Sequence, residues 1–405
     1  MSCRRWSRRA EARESDGRAV RGGRGQGMRP LFDESDRRFM RRALVLARRG
    51  AGTTRPNPMV GAVVVRRGRV VAEGYHRRPG TAHAEVDALA KLGGRAPGAT
   101  VYVSLEPCDH LGRTPPCTRA LLAAGVARVV VGVRDPNPLV DGRGIARLRR
   151  AGVRVDVGCL EAECRELNRA FFTWVTRKRP LVTLKVAASW DGFIADGLAR
   201  PAAAPAWLTG PPARQAAHAL RAAHDAVLVG AGTVRADDPL LTDRRPGRGK
   251  RAQPLRVIMD GRLSVRPSAR LIATTAEAPT LVVAGHGASP ARTRALVAAG
   301  AEVALLPSSH QGRFSVEAML AELASREIQS VLVEGGAAVH GAFLAAGLVD
   351  RVALFFAPRL LGGGLSIASG PGRPLAEALR LGPARLRRIG DDVLMEADVV
   401  GAGPA

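Results

Sequence analysis

The sequence predicts an α/β protein of two domains built on largely parallel sheets. Three observations carry the prediction. Four segments repeat one rhythm, LLAAGVARVVVGV (121–133), RLRRAGVRVDVG (147–158), RALVAAGAEVALL (294–306) and FLAAGLVDRVALFF (343–356). Each reads as a helix closed by glycine and followed by a β-branched, buried strand, the unit from which parallel sheets with crossover helices are made. The 405 residues, 46% of them hydrophobic, supply more than one core. Between Phe171 and Leu184, in FFTWVTRKRPLVTL, a helical pattern gives way to a strand pattern at Arg177-Lys178-Arg179-Pro180, which marks a boundary.

Along the chain, residues 1–29 read as a disordered Arg-rich extension, since residues 1–30 hold nine arginines, three acids and no apolar periodicity. They lack the apolar core of a secretory signal, and Glu11, Glu14 and Asp16 argue against an organellar transit peptide. The first domain is expected over 30–176 and the second over 177–400. Stretches 197–206 and 244–256 read as loops, the latter a surface loop with six basic residues and no acid. The longest apolar run, Gly335 to Val349, is interrupted by His340 and falls short of the roughly 18 residues of a membrane span.

Five cysteines without a signal sequence point to a reducing cytoplasm, where clustered Cys more often bind metal than form disulfides. The net charge of +26 invites a nucleic-acid partner, but only four of the 62 basic residues are lysine and aromatics make up 4%. Such a bias reads as compositional drift towards arginine, and few aromatics weaken a single-strand stacking platform.

The first domain carries a metal constellation. His83-Ala84-Glu85 is followed by Pro107-Cys108 and, nine residues on, by Cys117. One His and two Cys suit a catalytic Zn²⁺ that keeps a position for water, whose pKa it lowers to about 7. Glu85, at the head of the amphipathic run AEVDALAKL, is placed to shuttle protons. Pro115-Pro116-Cys117 reads as the entry to a second helix, whose N-terminus favours a thiolate. A lone His or Cys is more often a packing residue; together these three form the zinc base-deaminase signature. The spacing is unusual, because CDHLGRTPPC separates the cysteines by eight residues where nucleic-acid deaminases have two.

Those motifs, with PNPMVGAVVV (56–65) and GYHRRPGTAHAEVDAL (74–89), closely resemble the deaminase domain of the bifunctional riboflavin-biosynthesis deaminase/reductases. The resemblance implies a cytidine-deaminase-like α/β/α domain with zinc on His83, Cys108 and Cys117 and Glu85 as proton carrier. It also implies that Asn57, His76 and the 109–114 insert shape the pocket, with Arg113 on a phosphate. Cys159 and Cys164 fall outside the signature and read as buried bystanders.

The second domain is less legible, since no GxGxxG follows a strand. It offers Gly-rich strand ends, Val229–Thr233, Glu334–Gly336 and Leu361–Gly364, where glycines admit a pyrophosphate and a helix after Gly336 presents a positive end. Each alone is more often a tight turn. LKVAASWDGFIA (184–195), residues 206–244, QPLRVIMDG (253–261) and VEGGAAVHGAFL (333–344) resemble the reductase domain of the same family. That resemblance implies a dihydrofolate-reductase-like α/β domain using NADPH. Ala188, Trp207, Thr233, Asp237 and the turn Gly336-Ala337-Ala338-Val339-His340-Gly341-Ala342 would hold the dinucleotide. Arg221, Leu241, Arg244 and Glu334 would hold the substrate, with Arg221 and Arg244 as forks for its phosphate. Lys185 would bind ribosyl oxygens or assist protonation. Trp190, Pro205 and Gly210 depart from the family's usual Leu, Ser and Ser.

The implied activity is hydrolytic deamination of 2,5-diamino-6-(5-phosphoribosylamino)pyrimidin-4-one at C2, then NADPH-dependent reduction of the ribosyl group. The partner is a small phosphorylated pyrimidine, with no nucleic acid or membrane and room for a homo-oligomer. Two alternatives stay open from the residues alone: a nucleic-acid base deaminase with an Arg-rich arm, and a deaminase whose second half binds a dinucleotide without catalysis.

Overall fold

The computed structural model describes residues 31–112, 114–198, 207–246, 252–309 and 312–401. The extension 1–29, Arg113 and Pro205 lie outside them. Two large sheets organise the described residues, one for each predicted domain, and a two-stranded ribbon of Phe193–Ala195 with Leu365–Ser366 stands apart in the second.

Asp33 starts the first helix, its carboxylate accepting from the Asp36 backbone N–H at 2.7 Å. The first domain then runs α1 (Glu34–Ala47), β1 (Gly61–Arg66), β2 (Arg69–Tyr75), α2 (Ala84–Ala90), β3 (Thr100–Leu105), α3 (Cys117–Ala123), β4 (Arg128–Val133), α4 (Arg143–Arg150), β5 (Arg154–Val157), α5 (Glu161–Leu167) and α6 (Arg169–Arg177). The sheet order is β2-β1-β3-β4-β5. Strands β3, β4 and β5 are parallel, and β1 lies antiparallel between β2 and β3.

Strand alternation sorts the side chains into two layers. Val101, Val103, Val129 and Val131 pack with Ala88, Leu121 and Leu148 of α2, α3 and α4. Tyr102 and Val130, pointing the other way, pack with Met40, Leu44, Phe171 and Phe172 of α1 and α6. Cys159 and Cys164 are buried in that second layer, free and away from the metal-type cluster. Asp36 is buried at its edge and accepts from Tyr102 Oη (2.7 Å) and from two nitrogens of Arg128 (2.8 and 3.0 Å).

Helix α6 ends at Arg177 and the second sheet begins four residues later. Its elements are β6 (Leu181–Ser189), β7 (Phe193–Ala195), α7 (Pro211–Ala223), β8 (Ala226–Gly230), α8 (Ala231–Asp237), β9 (Leu255–Met259), α9 (Arg270–Ala273), β10 (Thr280–Gly285), α10 (Pro290–Ala298), β11 (Glu302–Leu306), α11 (Val316–Ser325), β12 (Ser330–Val333), α12 (Ala337–Ala345), β13 (Arg351–Ala357), β14 (Leu365–Ser366), β15 (Arg380–Leu381), β16 (Arg385–Ile389) and β17 (Asp392–Val400). The order is β11-β10-β9-β8-β12-β6-β13-β17-β15, with β16 also on β17. From β11 to β13 every pairing is parallel, and β17 closes the sheet antiparallel to β13. All four predicted helix-to-strand rhythms are present, as α3–β4, α4–β5, α10–β11 and α12–β13.

Two readings of the second domain are corrected. The basic loop expected over 244–256 ends before Arg256, which sits in β9 and is fully buried. Its guanidinium donates to Thr274 Oγ1 (2.8 Å) and to the carbonyls of Leu240, Thr274 and Ala278 (3.3, 3.0 and 2.6 Å), so it ties the loops around β9 together instead of facing solvent. The expected turn over Gly336–Ala342 is the cap and first two turns of α12. Among the described residues no helix is long and apolar enough to cross a membrane.

The two domains meet along α6 and the ends of β6 and β12. Asp350, just before β13, accepts from Arg177 (2.9 Å) and from two nitrogens of Arg179 (2.6 and 2.8 Å), which fixes the junction. Behind it His224 is buried, donating from Nδ1 to the Leu220 carbonyl (2.7 Å) and accepting at Nε2 from Thr183 Oγ1 (2.8 Å). Burial pushes its imidazole down to about 4. In the unfolded chain the ring protonates near its ordinary value of about 6.5, so between those values the unfolded state binds the extra proton and stability falls as pH is lowered. His224→Gln should flatten that acid limb of a urea-denaturation series by about 1.4 kcal/mol per pH unit across the window; an unaltered slope would show that His224 does not set it.

Candidate functional site

Three segments bring the metal-type cluster together. His83 is the N-cap of α2, Cys108 follows β3, and Cys117 opens α3. Their ligand atoms all lie within 4.8 Å of one another. His83 Nδ1 is 3.1 Å from Cys117 Sγ and 3.5 Å from Cys108 Sγ, so one nitrogen faces both sulfurs. The Cys117 backbone N–H points at Cys108 Sγ (3.4 Å). Hydrogen bonds from Cys117, with His83 beside it, draw the Cys108 thiol well below the usual range, while Cys117 is held up. One imidazole nitrogen and two cysteine sulfurs converging in this way are a donor set that suits zinc, which takes cysteine as thiolate.

Glu85, in the first turn of α2, is 2% exposed and lies in the same cavity, and burial pushes its carboxyl up to about 7. The cavity measures about 440 Å³. Asn57 projects into it from the loop before β1 and its Nδ2 lies 3.0 Å from His76 Nε2. His76 Nδ1 in turn reaches the Ala82 carbonyl (3.2 Å), and its ring stands edge-on to His83 at 5.3 Å. These contacts favour a neutral His76 that donates at Nδ1 and accepts from Asn57, leaving the Asn57 carbonyl for a ligand. His110 and Thr114 of the insert also line the cavity; Arg113 lies outside the described residues.

Sequence reasoning missed what holds the loop carrying Cys108. Glu106 is 5% exposed, and its carboxylate accepts from the backbone N–H groups of Asp135 (3.3 Å), Gly142 (3.0 Å), Gly144 (3.1 Å) and Ile145 (3.2 Å). It thereby caps α4 and fixes the turn that puts Asp135 and Asn137 into the cavity wall. Gly144 allows the close approach, since a Cβ there would lie 1.8 Å from the Pro107 carbonyl oxygen. The available signal was an acid in a buried strand end, between Leu105 and Pro107.

A second cavity of about 280 Å³ opens at the ends of β6, β8 and β12. Lys185, Trp207, Arg221, Thr233, Asp237, Arg244, Glu334, Gly336 and His340 line it. Ala188 (1% exposed) and Leu241 (3%) turn their side chains into the core, and of the Gly336–Ala342 stretch only Gly336 and His340 reach the wall. The Gly336 N–H donates to Thr233 Oγ1 (3.1 Å), which joins α8 to the start of α12. Gly335 serves packing, since a Cβ there would meet Val339 at 2.7 Å. Of the third Gly-rich stretch, the Leu361 and Gly362 N–H groups donate to the Asp191 carboxylate (2.9 and 2.7 Å).

The charges in this cavity are already organised. Arg221 grips Glu334 through Nε (2.6 Å) and Nη2 (2.9 Å) and donates from Nη1 to the Thr242 carbonyl (3.2 Å), so its fork is occupied. Lys185 Nζ approaches Glu334 at 3.5 Å and sits 5.8 Å from the centre of the Phe355 ring. Although burial opposes ionisation, Arg221 and Lys185 hold Glu334 down to about 2. Among the described residues no acid pairs with Arg244; burial and then Arg221 and Arg270 lower its pKa, which marks a place where an anion is favoured. Trp190, at the end of β6, stacks on Phe356 at 5.4 Å and 11°.

Comparison with known proteins bears on both cavities. Residues 33–133 match the family described as the cytidine and deoxycytidylate deaminase zinc-binding region, and residues 180–395 match the RibD C-terminal domain. The riboflavin biosynthesis protein RibD of Aquifex aeolicus is 44% identical over 90% of this chain and 99% of its own length. That of Escherichia coli is 40% identical over 91% of this chain and all of its own. Among solved structures, Acinetobacter baumannii RibD superposes with a TM-score of 0.80 at 35% identity, covering 92% of this chain and 100% of that one. The Thermotoga maritima diaminohydroxyphosphoribosylaminopyrimidine deaminase/5-amino-6-(5-phosphoribosylamino)uracil reductase gives 0.78 at 38%, covering 90% and 99%.

Cys117→Ser is expected to bring bound zinc, measured by elemental analysis after dialysis, from about one ion per chain to near none. Full retention would remove Cys117 from the ligand set.

Proposed function

The chain belongs to the RibD family of riboflavin-biosynthesis proteins, and from that membership we propose how its two cavities divide one conversion of a phosphorylated pyrimidine. The protein is a bifunctional deaminase and reductase. The assignment of each residue below is our reading.

The first cavity takes 2,5-diamino-6-(5-phosphoribosylamino)pyrimidin-4-one and removes its C2 amino group by hydrolysis. His83, Cys108 and Cys117 would hold zinc, which when bound would supply the Lewis acidity that makes water nucleophilic near neutral pH. Glu85 takes the water proton at its carboxylate and returns it to the leaving nitrogen. The observation that carries this reading is its burial in the cavity of the metal-type cluster, where desolvation raises the carboxyl's affinity for a proton. Asn57, held against His76, orients the pyrimidine; Arg113 is placed on the phosphate by family resemblance alone.

The second cavity takes the deaminated product. NADPH supplies the hydride, and the protein's part is to hold the nicotinamide against the opened sugar carbon. The N–H groups of Ala337 and Ala338 at the start of α12 take the dinucleotide's phosphates, with Gly336, whose own N–H is held by Thr233 Oγ1, and Trp207, Thr233 and Asp237 around it. Ala188, Leu241 and the remainder of that stretch, Val339, His340, Gly341 and Ala342, contribute through main-chain atoms and shape, since most of these side chains turn inward or into the helix. Lys185, oriented by Glu334, donates to the ribosyl oxygens. Arg244 takes the phosphate, and Arg221 braces Glu334 beneath it. Exposed Leu386 on β16, with exposed Leu360 and Leu375 in the connections after β13 and β14, supports self-association.

Glu85→Gln should keep zinc, lower ammonia release about 10²–10⁴-fold and leave reduction of the deaminated substrate intact; near-normal ammonia release would remove Glu85 from the reaction. Arg244→Ala should raise KM for the phosphorylated substrate about tenfold or more, as expected for a lost charged hydrogen bond, with little effect on NADPH. An equal rise for both would reassign Arg244 to the cofactor.

A further inference from the structure

The loop Arg55–Met59 has two faces. Inward, it delivers Asn57 to the deamination cavity and to His76. Outward, its first two residues are held by the other domain. Arg55 is ion-paired with Asp225, and Gln329 Nε2 donates to the Pro56 carbonyl. Both partners are buried (6% and 5% exposed) and are tied to each other. Asp225 Oδ2 accepts from the backbone N–H groups of Gln329 (2.8 Å) and Ser330 (2.9 Å) and from Ser330 Oγ (3.1 Å), which leaves Oδ1 for Arg55. The far end of the loop is pinned by the Asn168 amide, which bonds both the N–H (2.8 Å) and the carbonyl (2.9 Å) of Met59.

The same turn of the second domain reaches the cavity itself. Glu327, two residues before Gln329 and held at φ +60°, forms part of the cavity wall. Trp174 of α6 donates to the Ala324 carbonyl (3.1 Å) and keeps the end of α11 against the first domain. A buried carboxylate already fixed by three hydrogen bonds is a rigid reference, and a loop clamped to it places its side chains within a fraction of an ångström.

We infer that the second domain completes the deamination site: Asp225 and Gln329 are positioning residues for Asn57, acting through Arg55 and the Pro56 carbonyl. The inference rests on the reading that Asn57 orients the pyrimidine. A seam that merely joined the domains would need no contact on this loop, whereas here the contacts fall on the two residues before Asn57.

The test uses the full chain, whose reductase reaction reports folding in the same molecule. Gln329→Ala and Arg55→Met should each raise the deaminase KM about three- to tenfold with kcat within about twofold. Zinc content and reduction of the deaminated substrate should stay unchanged, and Arg55→Lys should recover part of the KM. Unchanged KM in both variants, or parallel loss of both activities, overturns the inference. Asn57→Ala separates the two levels. A raised KM there with none in the clamp variants defeats the clamp alone, and no change there defeats the reading of Asn57 and the clamp with it.

Discussion

Parallel strands can be joined only by crossovers, so their carboxyl ends and the following helix N-termini open along one edge of a sheet, and both sites of this protein are built there. In the first domain the end of β3 gives Glu106 and Cys108, and the N-termini of α2 and α3 give His83, Glu85 and Cys117. In the second, β6 gives Lys185, β8 leads to Thr233, and β12 leads to Glu334 and Gly336. The three members of the metal-type cluster come from three separate segments, and the sheet makes them converge.

Each convergence is secured by a buried carboxylate. Glu106 gathers four backbone N–H groups around the Cys108 loop, Glu334 gathers Arg221 and Lys185, and Asp225 gathers the turn that meets the Arg55 loop. Breaking such an arrangement leaves a charge or several N–H groups unsatisfied, so it holds geometry even where its net contribution to stability is small. The arginine excess is partly absorbed in this way. Arg221 is enclosed and bonded to Glu334, and Arg256 is enclosed and bonded to carbonyls and Thr274.

Local patterns were legible in the sequence; tertiary partners were not. The Ala-Gly rhythm and β-branched runs reveal the parallel sheets because period and capping are properties of neighbouring residues. His83, Glu85, Cys108 and Cys117 were legible because the chemistry restricts residue types at fixed spacing. Glu106 escaped because its four partners lie 29 to 39 residues away. Arg256 was taken for a loop cation because nothing local distinguishes a buried arginine that bonds carbonyls from a solvated one. The glycines of Glu334–Gly336 were read as making room for a ligand, yet Gly335 makes room for Val339.

The central claim is that one chain carries a deaminase and a reductase acting in sequence on one small phosphorylated molecule. The most direct measurement follows ammonia release and loss of reduced nicotinamide absorbance together, after adding the diaminopyrimidine phosphoriboside and NADPH to the purified protein. Sequential action gives ammonia first and, after a lag, oxidation of one NADPH for each ammonia released. Ammonia release with no NADPH oxidation, or NADPH oxidation that needs no prior deamination, would contradict it.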